Sequence, residues 1–451
     1  VAAVWTAGGG RVASAGNGTP TAAPAIGQDG PSTASPAAGE ASAPVASPAI
    51  DGPAPAAPRS HDRGDKVDYM TKRYELAGFP LLGGDSDIGF EFGGVATLSH
   101  FAHGVVPYEW NMDLLLAASV KSGPSGLELT QENAQWNIDV PGLAGGKVRV
   151  NPQVAYNRTI NQLYFGIGNA SSPIPPPGAP PRYFEFEDRQ ARVRALTRIV
   201  WRAPLDAVVG VIYRFENPGP YYPSKLATDA ASGVALGVGP LSLVTLAAGV
   251  IFDTRDNEIF PRRGSYHQVG LRGTLGIPWG ADVRYGEAGA MLATYKPLGG
   301  PFILALRIVV DLQFGNVPAY DLYTGGPFQT YEMPGGSAAI RGVPEGRYSG
   351  LVKALGNAEL RALLIHLRVL GQHFRIGGNL LLDAGRLWAN YTFSSPLDGS
   401  GLGLKWGAGC GFYLVWGQAA VFRIEVAYSP DAASENPNLP LGIYVEDGVM
   451  F

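Results

Sequence analysis

Ala420-Val-Phe-Arg-Ile-Glu-Val-Ala-Tyr428 is the stretch on which the reading of this chain turns. Phe422, Ile424, Val426 and Tyr428 occupy one set of alternate positions, and Arg423 and Glu425 occupy the other. A period of two is what a β-strand imposes on side-chain direction. Other stretches repeat the pattern: Phe302, Leu304, Leu306, Ile308 and Val310 against Arg307 and Asp311, Leu360, Ala362 and Leu364 against Glu359 and Arg361, Leu380 and Leu382 against Asn379 and Asp383. A soluble sandwich alternates too, so length decides. These stretches run well beyond the ~5–6 residues of an ordinary globular strand and reach the about 9–11 that a tilted strand needs to cross a bilayer. The charged face then has a place in a wet lumen and the apolar face in lipid.

Composition agrees with that placement. The chain has 451 residues, a net charge of −4, 16% charged residues, 46% hydrophobic residues and 62 glycines. Charge is well below the ~25% of soluble domains, and glycine is about twice its usual share. Apolar runs are interrupted by Arg, Asp, Asn or Gly before they reach the about 18 residues of a spanning helix. The single cysteine, Cys410, excludes an intrachain disulfide framework and a multi-thiolate metal site. No basic run offers a footprint for nucleic acid. His61, His100, His103, His267, His366 and His373 do not form a His-Glu-x-x-His spacing, and neither a Gly-x-Ser-x-Gly elbow nor a phosphate loop is present. The expectation is a non-enzyme with no metal and no cofactor.

Residues 1–62 are Ala, Pro, Gly and Ser with almost no charge, which keeps a backbone extended and denies it a core. They read as a disordered tether, and residues 63–86 as a periplasmic lead-in segment. Val1 opens without a charged n-region or an apolar h-region, so an exported chain is expected to have lost its leader. From Asp87 to Phe451 strand patterning is continuous. About 15 strands are countable there, and an even total calls for one more, placed in the first half. Aromatic residues gather near strand ends: Tyr108, Trp110, Trp136, Trp201, Tyr221, Tyr222, Tyr320, Tyr323, Trp388, Tyr391, Trp416 and Tyr428. Headgroup-level rings are distributed in this way.

One connection is far too long for a hairpin, from about Gly315 to Gly350, and holds Arg341-Gly-Val-Pro-Glu-Gly-Arg-Tyr-Ser-Gly350. Loops of that length are functional or disordered. Arg341, Gly342, Glu345 and Arg347 favour a loop folded into a polar lumen, where its cations meet wall carboxylates.

Several motifs then resemble the Omp85 superfamily, also described as bacterial surface antigen D15. Phe252-Asp-Thr-Arg-Asp-Asn-Glu-Ile-Phe-Pro-Arg-Arg-Gly264 is similar to its barrel signature, carried by Asp253, Arg255, Asp256 and Gly264. Ile340–Gly350 resembles its lumen-inserted loop, with Val343 where an aromatic is common. Leu381-Leu-Asp-Ala-Gly-Arg-Leu-Trp388, Gly403–Gly409, Phe422–Pro430 and Phe451 resemble the strands that follow. The resemblance implies an all-β transmembrane antiparallel barrel of about 16 strands in a Gram-negative outer membrane, surrounded by its lipid. It also implies that Arg341 reaches the wall, with Asp383 as first partner and Glu359 as second. Residues ahead of Asp87 are too few for the family's usual periplasmic domain, so separate periplasmic or outer-membrane partners are expected. The implied function is assembly or translocation of other proteins, with client outer-membrane proteins at a seam between the first and last strands. A non-catalytic scaffold of a larger complex and a plugged diffusion pore are the alternatives. In the closing strand Leu441, Ile443, Val445, Val449 and Phe451 are expected to share the lipid face, with Gly442 and Gly448 loosening the other.

Overall fold

Alternation of apolar and polar side chains lays down sixteen long antiparallel strands. A computed structural model describes residues 70–85, 89–105, 108–124, 126–257, 260–278, 282–328, 331–369, 372–416, 420–434, 440–447 and 449–451. The tether assigned to residues 1–62 lies outside them. In chain order the strands are β1 (Arg73–Asp85), β2 (Gly89–Phe101), β3 (Trp110–Gly123), β4 (Gly126–Gly142), β5 (Val148–Leu163), β6 (Glu185–Arg202), β7 (Leu205–Glu216) and β8 (Leu241–Asp253). They continue with β9 (Gly264–Ile277), β10 (Arg284–Gly299), β11 (Phe302–Asn316), β12 (Val352–Val369), β13 (Gln372–Trp388), β14 (Lys405–Trp416), β15 (Ala420–Tyr428) and β16 (Leu441–Asp447). Each pairs with the next in sequence, as a meander does. No helix among the described residues is long and apolar enough to cross a membrane; the crossing is made by strands.

The sixteenth strand is β1, inside the segment expected to be a lead-in, so the sheet starts ahead of Asp87. Its pattern is hard to read because Gly78, Pro80, Gly83 and Gly84 interrupt it. Pro80 is tolerated because β1 is an edge strand, where a missing N–H costs no ladder bond. The opposite edge is β16. The two come within 8 Å, Cα to Cα, and no register joins them among the described residues.

Exposure follows the alternation. In β15 Ile424, Val426 and Tyr428 are 38%, 37% and 43% exposed, while Arg423 is 3% and Glu425 is 0%. Leu306 and Ile308 of β11 face out, and Arg307 and Asp311 face in. A protein with its apolar side chains outside and its charges inside has lipid as its outer solvent. Near its end β12 carries a bulge between Leu363 and Ile365, which resets the phase: Leu363 is buried while Leu364 and Ile365 are both exposed.

Two connections fill the interior. Residues 317–351 between β11 and β12 are nearly all buried. Phe328, Tyr331, Met333, Ile340 and Val343 pack against wall residues Val208, Ile251, Met291 and Leu355. Gly249, Gly270 and Gly289 stand side by side on β8, β9 and β10. A Cβ at any of them would meet Pro327, Phe328 or neighbouring backbone at 3.0 Å or less, so the aligned glycines make a groove for that part of the loop. The second connection holds the helix α1 (Lys225–Ala231), capped by Ser224 Oγ accepting from Ala227 N at 3.1 Å. Its Leu226 packs with Tyr164, Phe186, Tyr320 and Tyr323. Tyr320 and Tyr323, expected at headgroup level, are therefore interior, as is Tyr108 at 3% exposure. A tyrosine in a loop that folds inward finds its apolar surroundings in the lumen; Trp201, Tyr222 and Tyr428 do lie exposed.

Candidate functional site

The loop chain bends back on itself through Gly336 N to Val343 O (2.9 Å) and Ile340 N to Pro334 O (2.8 Å). This turn presents Arg341 to the wall, where its side chain is fully buried. The guanidinium donates from Nε to Asp383 Oδ2 (2.8 Å), from Nη2 to Asp383 Oδ1 (2.9 Å), and from Nη1 to Glu359 Oε1 (2.5 Å) and Glu425 Oε1 (2.9 Å). Its backbone N–H adds a bond to Asp383 Oδ2 at 3.1 Å. Asp383, Glu359 and Glu425 come from β13, β12 and β15. Burial alone would pull the Arg341 pKa down; Glu425, Glu359 and Asp383 outweigh it and hold it well above its ordinary value. The group is a permanent cation matched to three carboxylates.

Each carboxylate is held from behind. Asn357 Nδ2 donates to Asp383 Oδ1 (2.8 Å) and to the loop carbonyl of Ala339 (2.7 Å). Arg361 Nε and Tyr413 Oη donate to Glu359 Oε2 at 2.7 and 3.1 Å. Asn379 Nδ2 donates to Glu425 Oε1 at 2.8 Å, with Arg423 3.2 Å from Oε2. Positioning on rigid strands is what a buried ionic network requires.

The backbone of the tip needs room as well. A Cβ at Gly407 of β14 would lie 1.8 Å from the Arg341 carbonyl oxygen, so only glycine lets the tip touch the wall. Gly342, at φ +93°, donates its N–H to Tyr444 Oη of β16 at 2.8 Å. The loop is thereby tied to the edge strand. Gly442 is what frees Tyr444 to do this, since a Cβ there would meet the Tyr444 hydroxyl at 2.4 Å. That corrects the expectation that Gly442 merely loosens packing; Gly448 lies outside the described residues.

The other singled-out residues are placed as follows. Glu345 is buried in the loop next to Gly336. Arg347 turns away from the wall carboxylates: its Nη1 and Nη2 donate to Ser171 Oγ (2.8 Å) and Ser171 O (2.7 Å), and its guanidinium lies 4.2 Å from the Tyr348 ring centroid. It ties the loop to the proline-rich connection before β6. Asp253, Arg255, Asp256 and Gly264 form a separate structure, the β8–β9 turn. There Arg255 Nε and Nη2 chelate Asp253 (3.0 and 2.8 Å), and Asp256 Oδ1 accepts from the backbone of Arg262 and Arg263.

Leu441, Ile443 and Val445 lie on the outward face of β16, but Val449 and Phe451 do not. Val449 packs with Phe260, Ile303 and Tyr413. Phe451 lies inside, its ring 4.9 and 5.0 Å from the Arg361 and Arg307 guanidinium carbons and its carbonyl accepting from Arg361 Nη2 at 3.0 Å. Two guanidinium groups draw the ring off the strand's outward face.

Glu425, Asn357, Gly407 and Tyr444 complete the site and were not picked out as partners of Arg341. Alternation had put Glu425 on the inner face; which inner residue meets the loop depends on the curvature of the sheet.

An antiparallel sheet with sixteen long strands among the described residues, a lipid-facing exterior and a lumen filled by a loop locked to the wall defines an outer-membrane β-barrel. The chain belongs to the Omp85 superfamily: the Omp85 superfamily domain matches residues 207–438. Solved structures share the fold, two of them as follows. BamA from Haemophilus ducreyi lacking POTRA domains 1–3 has 13% sequence identity and a TM-score of 0.53, with 84% of this chain and 69% of that chain covered. CdiB from Escherichia coli has 13% identity and a TM-score of 0.53, with 83% and 62% covered, so this chain spans less than two thirds of it. Among curated proteins none matches.

Proposed function

We propose that this barrel assembles or translocates other proteins at a Gram-negative outer membrane, together with separate periplasmic partners. The observation that carries the reading is the coupling of Arg341 to three wall strands while the adjoining Gly342 is bonded to Tyr444 on β16. The lock thus braces one side of the edge where β1 and β16 approach, with no common register among the described residues. Strand edges with unsatisfied N–H and C=O groups are costly in lipid, and such an edge templates an added strand. Work of this kind is strand pairing and needs no catalytic group.

Photo-crosslinkers at Leu76 of β1 and Ile443 of β16 test it in membranes making outer-membrane proteins. Varied nascent barrels should be trapped at both positions, with Arg341→Ala lowering the yield while inserted barrel persists. Recovery of one fixed set of subunits would replace this reading by a scaffold. Conductance in planar bilayers that rises on deletion of residues 335–350 would replace it by a plugged pore.

A further inference from the structure

A second group of cations lies on another part of the lumen wall. Arg192 and Arg194 are inward residues of β6, Arg214 stands directly opposite Arg192 on β7, and Arg272 is on β9; all four are at most 8% exposed. Like charges paired across a ladder repel, so each needs an answer. Arg214 has one: Nη1 and Nη2 grip Asp321 at 2.9 and 2.5 Å, and Glu216 is 3.2 Å from Nε. Arg272 is paired with Glu287. Arg194 is different. It is 4% exposed, its Nη2 reaches only the amide oxygen of Asn151 at 3.3 Å, its Nε has no hydrogen-bond partner, and no carboxylate among the described residues pairs with it.

Arg194 lines a cavity together with Arg192, Arg214 and Arg272, the carboxylates of Glu287 and Asp321 that pair with the last two, and Thr245 and Thr274. Its volume is about 30 Å³, room for one small ion or about two waters. Thr245 Oγ1 and Thr274 Oγ1 are 2.7 Å apart, and Thr274 is also bonded to the Tyr285 hydroxyl, so this pair keeps to the protein. A guanidinium buried without counter-charge is costly, and a fork of N–H donors is suited to a multi-oxygen anion. Guanidinium groups from β6 and β9 face one cavity, and a phosphate group, with more oxygens than a carboxylate, can meet them together.

We propose that this lumenal cavity binds a phosphate-type oxyanion, with Arg194 as its central ligand and Arg192 and Arg272 beside it. The group comes either from free phosphate or from a phosphate-bearing lipid headgroup. Purified full-length chain in a phospholipid-free detergent is titrated with inorganic phosphate against sodium chloride at matched ionic strength, following binding by calorimetry. A parallel series compares nanodiscs of phosphatidylcholine with and without phosphatidic acid, following thermal unfolding. Saturable phosphate binding that Arg194→Gln weakens about tenfold or more and Arg194→Lys partly restores supports a free-phosphate site. Stabilisation by phosphatidic acid alone, lost in Arg194→Gln, supports the headgroup as the source. Folding of each variant is checked by the cooperativity of its unfolding, and Asn151→Ala serves as a second variant, since it removes a competing acceptor and should retain binding. Absence of saturation in both series, or equal binding by folded Arg194→Gln, overturns the proposal.

Discussion

The two halves of the lumen wall are built in different ways. From β11 to β15 the inward positions near the loop tip carry Arg307, Glu359, Arg361, Asp383, Arg423 and Glu425, all at most 4% exposed and joined in one network around Arg341. Along β4 and β5 the corresponding mid-strand positions carry Gln131, Asn133, Gln135, Gln153 and Asn157, equally buried and uncharged. The ion pairs of that half sit toward strand ends, such as Arg149 with Asp139, and Arg158 with Glu187, whose side chains are each 26% exposed. The difference has a physical cause. A buried charge is costly unless a partner is held in place; the loop supplies a cation to β12, β13 and β15 through Arg341 and a carboxylate to β7 through Asp321. An amide is satisfied by a protein group or by water at little cost, so it suits the half to which no cation is delivered.

This contrast is open to breakage at several points. Arg341→Ala leaves three carboxylates buried against one another and should cost about 3–5 kcal/mol, read from chemical unfolding in detergent; a loss below about 1 kcal/mol would make the halves equivalent. Ile424→Arg, next to Glu425 but pointing outward, should cost about 2–4 kcal/mol in lipid, and a neutral result would mean that this face does not meet hydrocarbon. Gly407→Val pushes on the Arg341 carbonyl and should cost about 1–3 kcal/mol; protease should then cut within residues 335–350 while the barrel stays resistant. Smallest is Gln135→Ala, expected to cost about 0.5–1.5 kcal/mol, because it removes a neutral amide whose Oε1 has no hydrogen-bond partner among the described residues. A penalty there as large as that for Arg341→Ala would erase the distinction.

Much of the site could be read before any coordinates. The period of two along β12 and β13 assigned Glu359 and Asp383 to the lumen, and the length of the loop together with its arginines singled out Arg341. The resemblance then joined the cation to those two carboxylates, and both lie within hydrogen-bonding distance of it. Arg347 and Glu345 looked equivalent in sequence yet went elsewhere, because their direction is set by the turn at Gly342 and Gly346, both at positive φ. β1 escaped notice because Pro80 and its glycines mask the alternation that an edge strand does not strictly need.

Sequence alone determined which side meets lipid where alternation is unbroken, as in β11, β13 and β15, since side-chain direction alternates with every residue and charge cannot remain in hydrocarbon. Only the tertiary structure decided that Glu425 joins Asp383 and Glu359, that Tyr444 holds the loop tip, that Phe451 turns inward to Arg361, and that Arg194 is left without a carboxylate. These are meetings between residues far apart in the chain. They depend on how sixteen twisted strands curve around one loop, and no local pattern encodes that curvature.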